Sequence, residues 1–564
     1  MATDTTFRVD LMSCIVDTAE EQQSCIQAVQ SFPNLRNLKI RLSGWALPQN
    51  NHVRVGINTV SSLLEAVTAK GTMEELTIDL GCLSQEENIA GFCNTLASSE
   101  TLQSLTIACS GEESISKQGL RDLGKAFRTL HSVETLKLSG MDPEHLSVIL
   151  QNMQLPQASC PCVPACKRQC PRVVSHCNCE EGPNSEQQTE RGYPKNVEIE
   201  KSRLFHRAMT YLVYLVMDEK QSSISNLTIR DCVHYTEDLG CLTFLLKGQS
   251  ILEELTLERL RVCSFPGASS PFWSPCSVKE LDNLNSAVSD VLKLSTVKLI
   301  DCKGSMTDVE TMIKAMVQNP NLEQLVLQYS TPDTCATTIH ALNTIHQAMV
   351  IDNLDSSLRQ LQVLAGPQME AYRLHKLVEL LGHPKCILES LTLDLGAGPY
   401  QLDVLSDNFA VNTRLQHLSV SGDEALDVTT LECFVEMLSD APQLTSLELD
   451  FPGTHETNAK VVQVFRANTT LQSIRVHPAS SGSTHLSFFG LRNQVRHLLL
   501  SQDEWSGGTW CQVLQLLLDW QEQPPPDVLS RLGTKRKDLV MLSALWFALM
   551  ECPSLVSELE PLAG

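Results

Sequence analysis

Hydrophobic and polar residues alternate in a short motif that recurs along most of the chain. The motif reads L-x-x-L-x-L or a close variant, as in LEELTL from Leu252 to Leu257. Leu255 and Leu257 alternate with polar residues, which is the period of a strand with one buried face. Apolar residues at helical spacing precede many copies, for example Leu239, Leu242 and Leu246. The pattern therefore predicts a repeating unit of one helix and one strand.

The motif occurs fourteen times, mostly at intervals of about 28 residues. The copies begin at Leu35, Met73, Leu102, Val133, Ile224, Leu252, Leu294, Leu322, Leu358, Leu388, Leu415, Leu444, Leu471 and Val495. Asn-containing segments such as NPN and NTR precede Leu322 and Leu415, and residues of this kind end a helix and form a turn. One unit cannot bury its apolar face alone, so we expect the units to stack and share a continuous core.

Two stretches carry a resemblance to a known family. AVSDVLKLSTVKLIDC (Ala287–Cys302) and MIKAMVQNPNLEQLVL (Met312–Leu327) resemble leucine-rich repeats of the ribonuclease-inhibitor type. In that family Asn or Cys follows the strand, and Cys232 and Cys302 stand at this position. The resemblance implies an α/β fold, namely a leucine-rich-repeat horseshoe solenoid with a parallel inner sheet and outer helices. Such a fold hosts many different partners and does not by itself indicate a function.

The repeats divide the chain into five predicted segments. These are an N-terminal cap at 1–30, a first block of repeats at 31–153, a Cys-rich flexible insertion at 154–196, a second block at 197–502 and a helical C-terminal cap at 503–564. The insertion is rich in Pro, Ser, Gln and charged residues, which is typical of an exposed loop. Two amphipathic helical patterns flank Pro524–Pro526 in the last segment, and we expect them to shield the final repeat.

Six of the 21 cysteines crowd into the predicted insertion beside one histidine. The candidate metal ligands are Cys160, Cys162, Cys166, Cys170, His176, Cys177 and Cys179. Thiolate and imidazole groups suit zinc, but standard zinc fingers use C-x2-C pairs and the pairs here are C-x-C. Three interpretations stay open, which are a flexible loop with reactive thiols, a zinc site and a lipidation site. No other cofactor is expected.

Charge and composition narrow the classes of partner. The net charge of −23 opposes binding to nucleic acid or to an anionic membrane, and it favours a protein partner with a basic face. No signal peptide and no apolar stretch long enough for a membrane span is visible. Scattered single cysteines suit a reducing compartment, so the sequence predicts a cytoplasmic protein without membrane insertion. The sequence contains no P-loop, metalloprotease, nucleophile-elbow or kinase motif, and we expect no enzymatic activity.

The non-leucine positions of the predicted strands all face the same way. Stacked about 4.8 Å apart, their side chains would form a continuous polar surface on the concave side. The candidate partner-binding residues are Glu75, Thr77, Asp79, Glu254, Thr256, Glu258, Gln324, Gln328, Thr392, Asp394, His417, Glu448 and Asp450. We therefore predict a non-enzymatic intracellular scaffold that binds a protein on this surface. The alternatives are a substrate-binding adaptor of a ubiquitin ligase and a regulator of a GTPase or of a basic enzyme.

Overall fold

The alternating leucines of each motif form the buried face of a short parallel strand. The structure is a computed structural model that describes residues 36–40, 71–80, 86–109, 115–154, 194–217, 223–236, 239–248, 250–264, 293–330, 340–352, 354–365, 374–395, 412–423, 443–452, 470–477 and 489–495, with positions 23, 27, 31, 65, 66 and 497. The chain forms two compact units, Met1–Leu322 and Glu323–Gly564. Each unit is built on a parallel sheet of these strands.

The main sheet of the first unit contains eight described strands. In spatial order they are β1 (Asn37–Ile40), β2 (Glu75–Asp79), β3 (Ser104–Ala108), β4 (Thr135–Ser139), β5 (Asn196–Glu200), β7 (Asn226–Arg230), β9 (Glu254–Glu258) and β11 (Thr296–Ile300). The helices of this unit are α1 (Glu86–Ala97), α2 (Lys117–Phe127), α3 (Pro143–Met153), α4 (His206–Leu215), α5 (Leu239–Leu246) and α6 (Met306–Val317). A helical segment between two strands returns the chain to the same end of the sheet, which is why neighbouring strands run parallel.

The second unit repeats the arrangement with six described strands. They are β12 (Gln324–Tyr329), β13 (Gln360–Ala365), β14 (Ser390–Asp394), β15 (His417–Ser421), β16 (Ser446–Asp450) and β17 (Ser473–His477), each parallel to the next. A π-helix (Gln347–Ile351) precedes β13, and α7 (Leu374–Leu381) precedes β14. Leu391 pairs in register with Leu361 and Leu418, and all three are buried. The leucine rows of adjacent strands thus form a continuous core within the unit.

Polar side chains fix both ends of the helices. The Ser305 hydroxyl accepts a hydrogen bond from the backbone N–H of Asp308 (3.2 Å), whose carboxylate accepts one from the Ser305 N–H, so α6 begins with a capping box. At the turn that leads into β15, buried Asn412 donates to the Leu381 carbonyl (2.8 Å) and accepts from the Leu415 N–H (2.8 Å). At the turn that leads into β12, Asn319 donates to the carbonyl of Leu294 (3.0 Å), just before β11. The prediction that these Asn-containing segments form the turns is confirmed at both positions.

Thirteen of the fourteen predicted motif copies coincide with strands β1–β4, β7, β9 and β11–β17. The prediction for the last copy is wrong, because Val495 and the residue at 497 are helical and Val495 is buried beside the helical Leu491. These apolar residues are four apart with no break between them, which is a helical rather than a strand period.

The predicted insertion also ends too late, since Asn196 is the first residue of β5. Val197 and Ile199 supply the buried face of this unpredicted strand.

A second, smaller parallel sheet in the first unit was not predicted. It consists of β6 (Arg203–Leu204), β8 (Val233–Tyr235) and β10 (Arg261–Cys263), in the order β10-β8-β6. A left-handed residue follows the main strand in each of these repeats, and the same conformation follows β11. These residues are Lys201, Asp231, Arg259 and Asp301, with φ between 49° and 52°. The conformation costs about 1 kcal/mol in a residue with a side chain, and it turns the chain from the main sheet into the small one.

The cysteines after β7 and β11 each contact the backbone of an adjacent repeat. The buried thiol of Cys232 donates to the carbonyl of Ile199 (3.4 Å), and that of Cys302 donates to the carbonyl of Leu257 (3.2 Å). Each thiol therefore binds the strand of the preceding repeat. Both thiols therefore connect the turn after their own strand to the neighbouring repeat.

Apart from positions 23 and 27, the predicted caps lie outside the described residues, as does most of the Cys-rich insertion. The insertion falls between α3 and β5, and β4 pairs directly with β5 in register, Leu136 with Val197. Among the residues that the structure describes, no helix combines the length and the apolar character that crossing a membrane requires.

Candidate functional site

The polar positions of the strands share one face of each sheet, as the alternation predicts. In most described strands the first, third and fifth side chains are half-exposed, and the second and fourth are buried. Register places Thr392 between Gln362 and Ser419, and Asp394 between Leu364 and Ser421. We call the half-exposed face of each main sheet its strand face. The predicted partner-binding residues are therefore grouped on the strand face of their own unit.

Ion pairs connect the strand face of the first unit across β4, β5, β7 and β9. The Lys137 ammonium lies 3.2 Å from a Glu198 carboxylate oxygen and 2.5 Å from one of Glu200. The Arg230 guanidinium contacts Glu198 at 3.0 Å and Glu258 at 2.5 Å. All five side chains are at most about one-third exposed, so water screens these pairs only in part.

The network continues onto the left-handed turns that follow β5, β7 and β9. The Arg259 guanidinium binds Asp231 through two nitrogens, at 2.5 and 2.9 Å, and also contacts Glu258. Lys298 on β11 lies 2.7 Å from Glu254 in a separate ion pair. The connected network among the described residues has four cations and four anions, which are Lys137, Lys201, Arg230 and Arg259 with Glu198, Glu200, Asp231 and Glu258. Its formal charge is zero.

The ion pairs shift the pKa values of the groups in this network toward their charged forms. Burial alone would lower the pKa of Lys137, but hydrogen bonds and charge from Glu200 and Glu198 outweigh it, and the pKa lies above its usual value. Burial would raise the pKa of Glu200, yet Lys137 and Lys201 lower it overall. The hydrogen bond with Arg259 lowers the pKa of Asp231. All of these groups are charged at neutral pH.

The structure separates the predicted residues of the first unit into three groups. Glu75 is exposed and Thr77 is half-exposed, as expected for a strand face. Asp79 is only 2% exposed and therefore contributes little accessible surface. Thr256 is also buried and donates to Glu254 (3.1 Å). The carboxylates of Glu254 and Glu258 have cationic partners within the sheet, a feature that the sequence pattern did not indicate.

The strand face of the second unit includes a group of carboxylates that lines a depression. Asp394, Glu448 and Asp450 line an open depression of about 750 Å³ together with Asp423, which sequence reasoning missed. Asp423 follows β15 in a turn, outside the alternating strand positions that predict the polar surface. Ser421, Gly422 and Pro452 complete the lining, and none of the lining residues is basic. We call this concavity the acidic depression.

The remaining predicted residues lie on the same face of the second unit. His417 is exposed at the start of β15, in register with Ser390 and Ser446. Gln324 and Gln328 are half-exposed on β12 and pair in register with Gln360 and Leu364. Amides, hydroxyls and carboxylates dominate this face, and they are hydrogen-bonding groups typical of a recognition surface.

The described part of the chain offers neither a cluster of metal ligands nor an activated thiol at Cys93, Cys232 or Cys302. No three His, Cys, Asp or Glu side chains among the described residues are placed to hold a metal ion. The Cys160–Cys179 cluster is outside those residues, so its zinc site stays a prediction. Burial raises the pKa of the Cys93, Cys232 and Cys302 thiols to about 12, which keeps them protonated and unreactive.

Comparison with known proteins adds little to this geometry. No protein-family model matches the chain, and no curated protein matches it. Among solved structures, the chain is similar to that described as "Crystal structure of TLR13-ssRNA13 complex", with 12% identity and a TM-score of 0.27. The match covers 81% of this chain and 61% of the other, so the chain spans less than two thirds of that protein. The strand register and the helices between strands, seen in each unit, fit the leucine-rich-repeat type of solenoid.

Proposed function

We propose that this protein is a non-enzymatic scaffold that binds a partner protein on the strand face of its repeats. The observation that supports the proposal is the row of half-exposed polar side chains held in register from strand to strand. Repeat proteins of this kind use such extended surfaces for recognition. A rigid sheet pre-organises these groups, so binding costs little conformational entropy.

The acidic depression is the preferred contact region within that face. Any partner that binds the Glu258 or Glu198 carboxylates of the first unit has to compete with Arg230, which already contacts both. In the second unit Asp394, Asp423 and Asp450 line a concavity without a basic lining residue. A partner with a basic face would gain charge complementarity there, which increases the rate of association and the specificity.

Two further features belong to the proposal. The hydrogen bonds of Cys232 and Cys302 support the ribonuclease-inhibitor-like subtype, in which Cys stands at this turn. The reduced cysteines Cys93, Cys232, Cys302 and Cys386 support a reducing compartment and hence a cytoplasmic location.

Affinity capture with matched charge reversals tests the proposal. The wild-type chain, an Asp394→Lys/Asp450→Lys variant and an Asp352→Lys/Asp355→Lys variant are each tagged and captured from the native cell. All four aspartates belong to the second unit, and Asp352 and Asp355 are exposed away from the strands. We expect the partner to be reduced about tenfold or more with the strand-face variant and to be retained by the other. Equal retention by both variants, at equal thermal stability, would contradict binding at the acidic depression.

A further inference from the structure

A row of basic residues crosses the small sheet of the first unit. Arg203 on β6 pairs in register with Val233 on β8, and Val233 pairs with Arg261 on β10. Lys303 extends the row through a parallel bridge to Arg261. Arg203, Arg261 and Lys303 are exposed, whereas the residues that follow the two arginines, Leu204 and Val262, are buried. The three cations therefore project from one side of the sheet, and we call them the basic row.

The basic row differs from the other charged groups of the first unit. Within the described residues, no carboxylate forms an ion pair with Arg203, Arg261 or Lys303, although the chain as a whole carries a charge of −23. The strand-face cations of the same unit, such as Lys137 and Arg230, each contact two carboxylates. Among the described residues, these three aligned cations have no carboxylate partner and are available to a ligand of opposite charge.

The distances between the three cations determine which ligand can contact all of them. Adjacent strands lie about 4.8 Å apart, so Arg261 and Lys303 are separated by one such step and Arg203 and Arg261 by two. An extended peptide rises about 3.3 Å per residue, so carboxylates one to three residues apart match both intervals. The half-exposed side chain of Val233 lies between the two arginines and offers one apolar contact.

We propose that the basic row is a docking surface for a short acidic segment of a second protein. Arginine forks bind carboxylates in a bidentate manner, and a short run of Asp or Glu residues neutralises all three cations. The basic row is separate from the strand face proposed to bind a basic partner. It lies on the small sheet, and it favours a partner with negative charge. The same chain would then hold a basic partner and an acidic one at different places.

A peptide fits the basic row better than a nucleic acid does. The row spans only three strand intervals, and the acidic residues Asp231, Glu258 and Asp301 lie in the adjoining strands and turns. A continuous polyphosphate would extend past the row and meet these carboxylates and the acidic chain, whereas a peptide can place its charges at the three cations alone. Charge complementarity thus favours a short acidic peptide.

Fluorescence anisotropy with defined probes tests the proposal on the full chain. The probes are a labelled decamer of glutamate and a labelled decamer of uridine ribonucleotide. The variant Arg203→Glu/Arg261→Glu/Lys303→Glu is compared with Lys117→Glu/Arg121→Glu/Lys247→Glu, which makes the same change in net charge at exposed positions on or beside helices of the same unit. We expect the glutamate decamer to bind the wild-type chain at about 50 mM salt, to bind the first variant at least about tenfold more weakly, and to bind the second within about twofold.

Three outcomes would overturn the proposal. Failure of the glutamate decamer to bind the wild-type chain would remove the docking surface. An equal loss in both triple variants would show that only bulk charge matters, and tighter binding of the uridine decamer would assign the row to nucleic acid. If the triple variant does not fold by circular dichroism, the single substitution Arg261→Glu replaces it, with Lys247→Glu as its control. Because none of these residues lines the acidic depression, the outcome is independent of the capture experiment.

Discussion

Asn412 shows how one side chain connects a helix to the next strand. It donates to the carbonyl at the end of α7 and accepts the backbone N–H groups of Arg414 (2.9 Å) and Leu415 (2.8 Å) while buried from solvent. Backbone groups at such a turn have no helical partner of their own and need a substitute. The Asn side chain supplies both a donor and an acceptor, which few residues can do.

Replacement of Asn412 by Ala should destabilise the second unit by about 2–4 kcal/mol, because two buried hydrogen bonds and one part-buried one are lost and their backbone partners remain unsatisfied. Urea unfolding monitored by circular dichroism measures the change. Arg414→Ala, at an exposed neighbour, is the control and should change stability by less than about 0.5 kcal/mol. Near-equal midpoints for the two variants would show that Asn412 does not hold the turn.

At the scale of the elements, the parallel strands bring together charges that are far apart in sequence. Lys137 and Glu198 are 61 positions apart, yet β4 and β5 place them side by side. The alternating leucines made the strands predictable, but the ion pairs depend on which strand neighbours which and on the register. Strand β5 was missed, so its carboxylates were absent from the predicted surface. The small sheet was missed because strands of two or three residues carry too little alternation to be recognised.

The Lys137→Met substitution tests the ion-pair network through its pH dependence. At neutral pH it should lower the free energy of unfolding by about 1–2 kcal/mol, since it leaves two half-buried carboxylates without this partner. The pKa of Glu200 is lowered in the folded state, so its contribution is present above the unfolded value of 4.5 and is lost as the pH falls through the folded value. The difference between variant and wild type should therefore narrow below about pH 4.5.

Thermal unfolding between about pH 3 and pH 7 provides the measurement. Lys117→Met is the matched control, because Lys117 is highly exposed and lies 3.6 Å from an exposed Glu144. Its effect should be small at every pH. A constant difference for Lys137→Met across the range would show that pairing with Glu200 does not account for its contribution.

At the scale of the whole molecule, the net charge of −23 conceals an uneven distribution. The ion-pair network of the first unit sums to zero, the basic row is locally positive, and the acidic depression belongs to the second unit. Net charge alone favours a partner with a basic face but does not indicate where that partner binds. Our proposals assign such a partner to the acidic depression and an acidic partner to the basic row.

Photo-crosslinking in the native cell reports which face of the repeats the partner touches. A benzophenone amino acid is placed, one position at a time, at Thr392 or Ser419 on the strand face and at the exposed positions Asp352 or His375 away from it. We expect a covalent adduct with the same partner from Thr392 and Ser419 and none from Asp352 or His375. Adducts confined to Asp352 and His375, or formed equally at all four positions, would contradict recognition by the strand face.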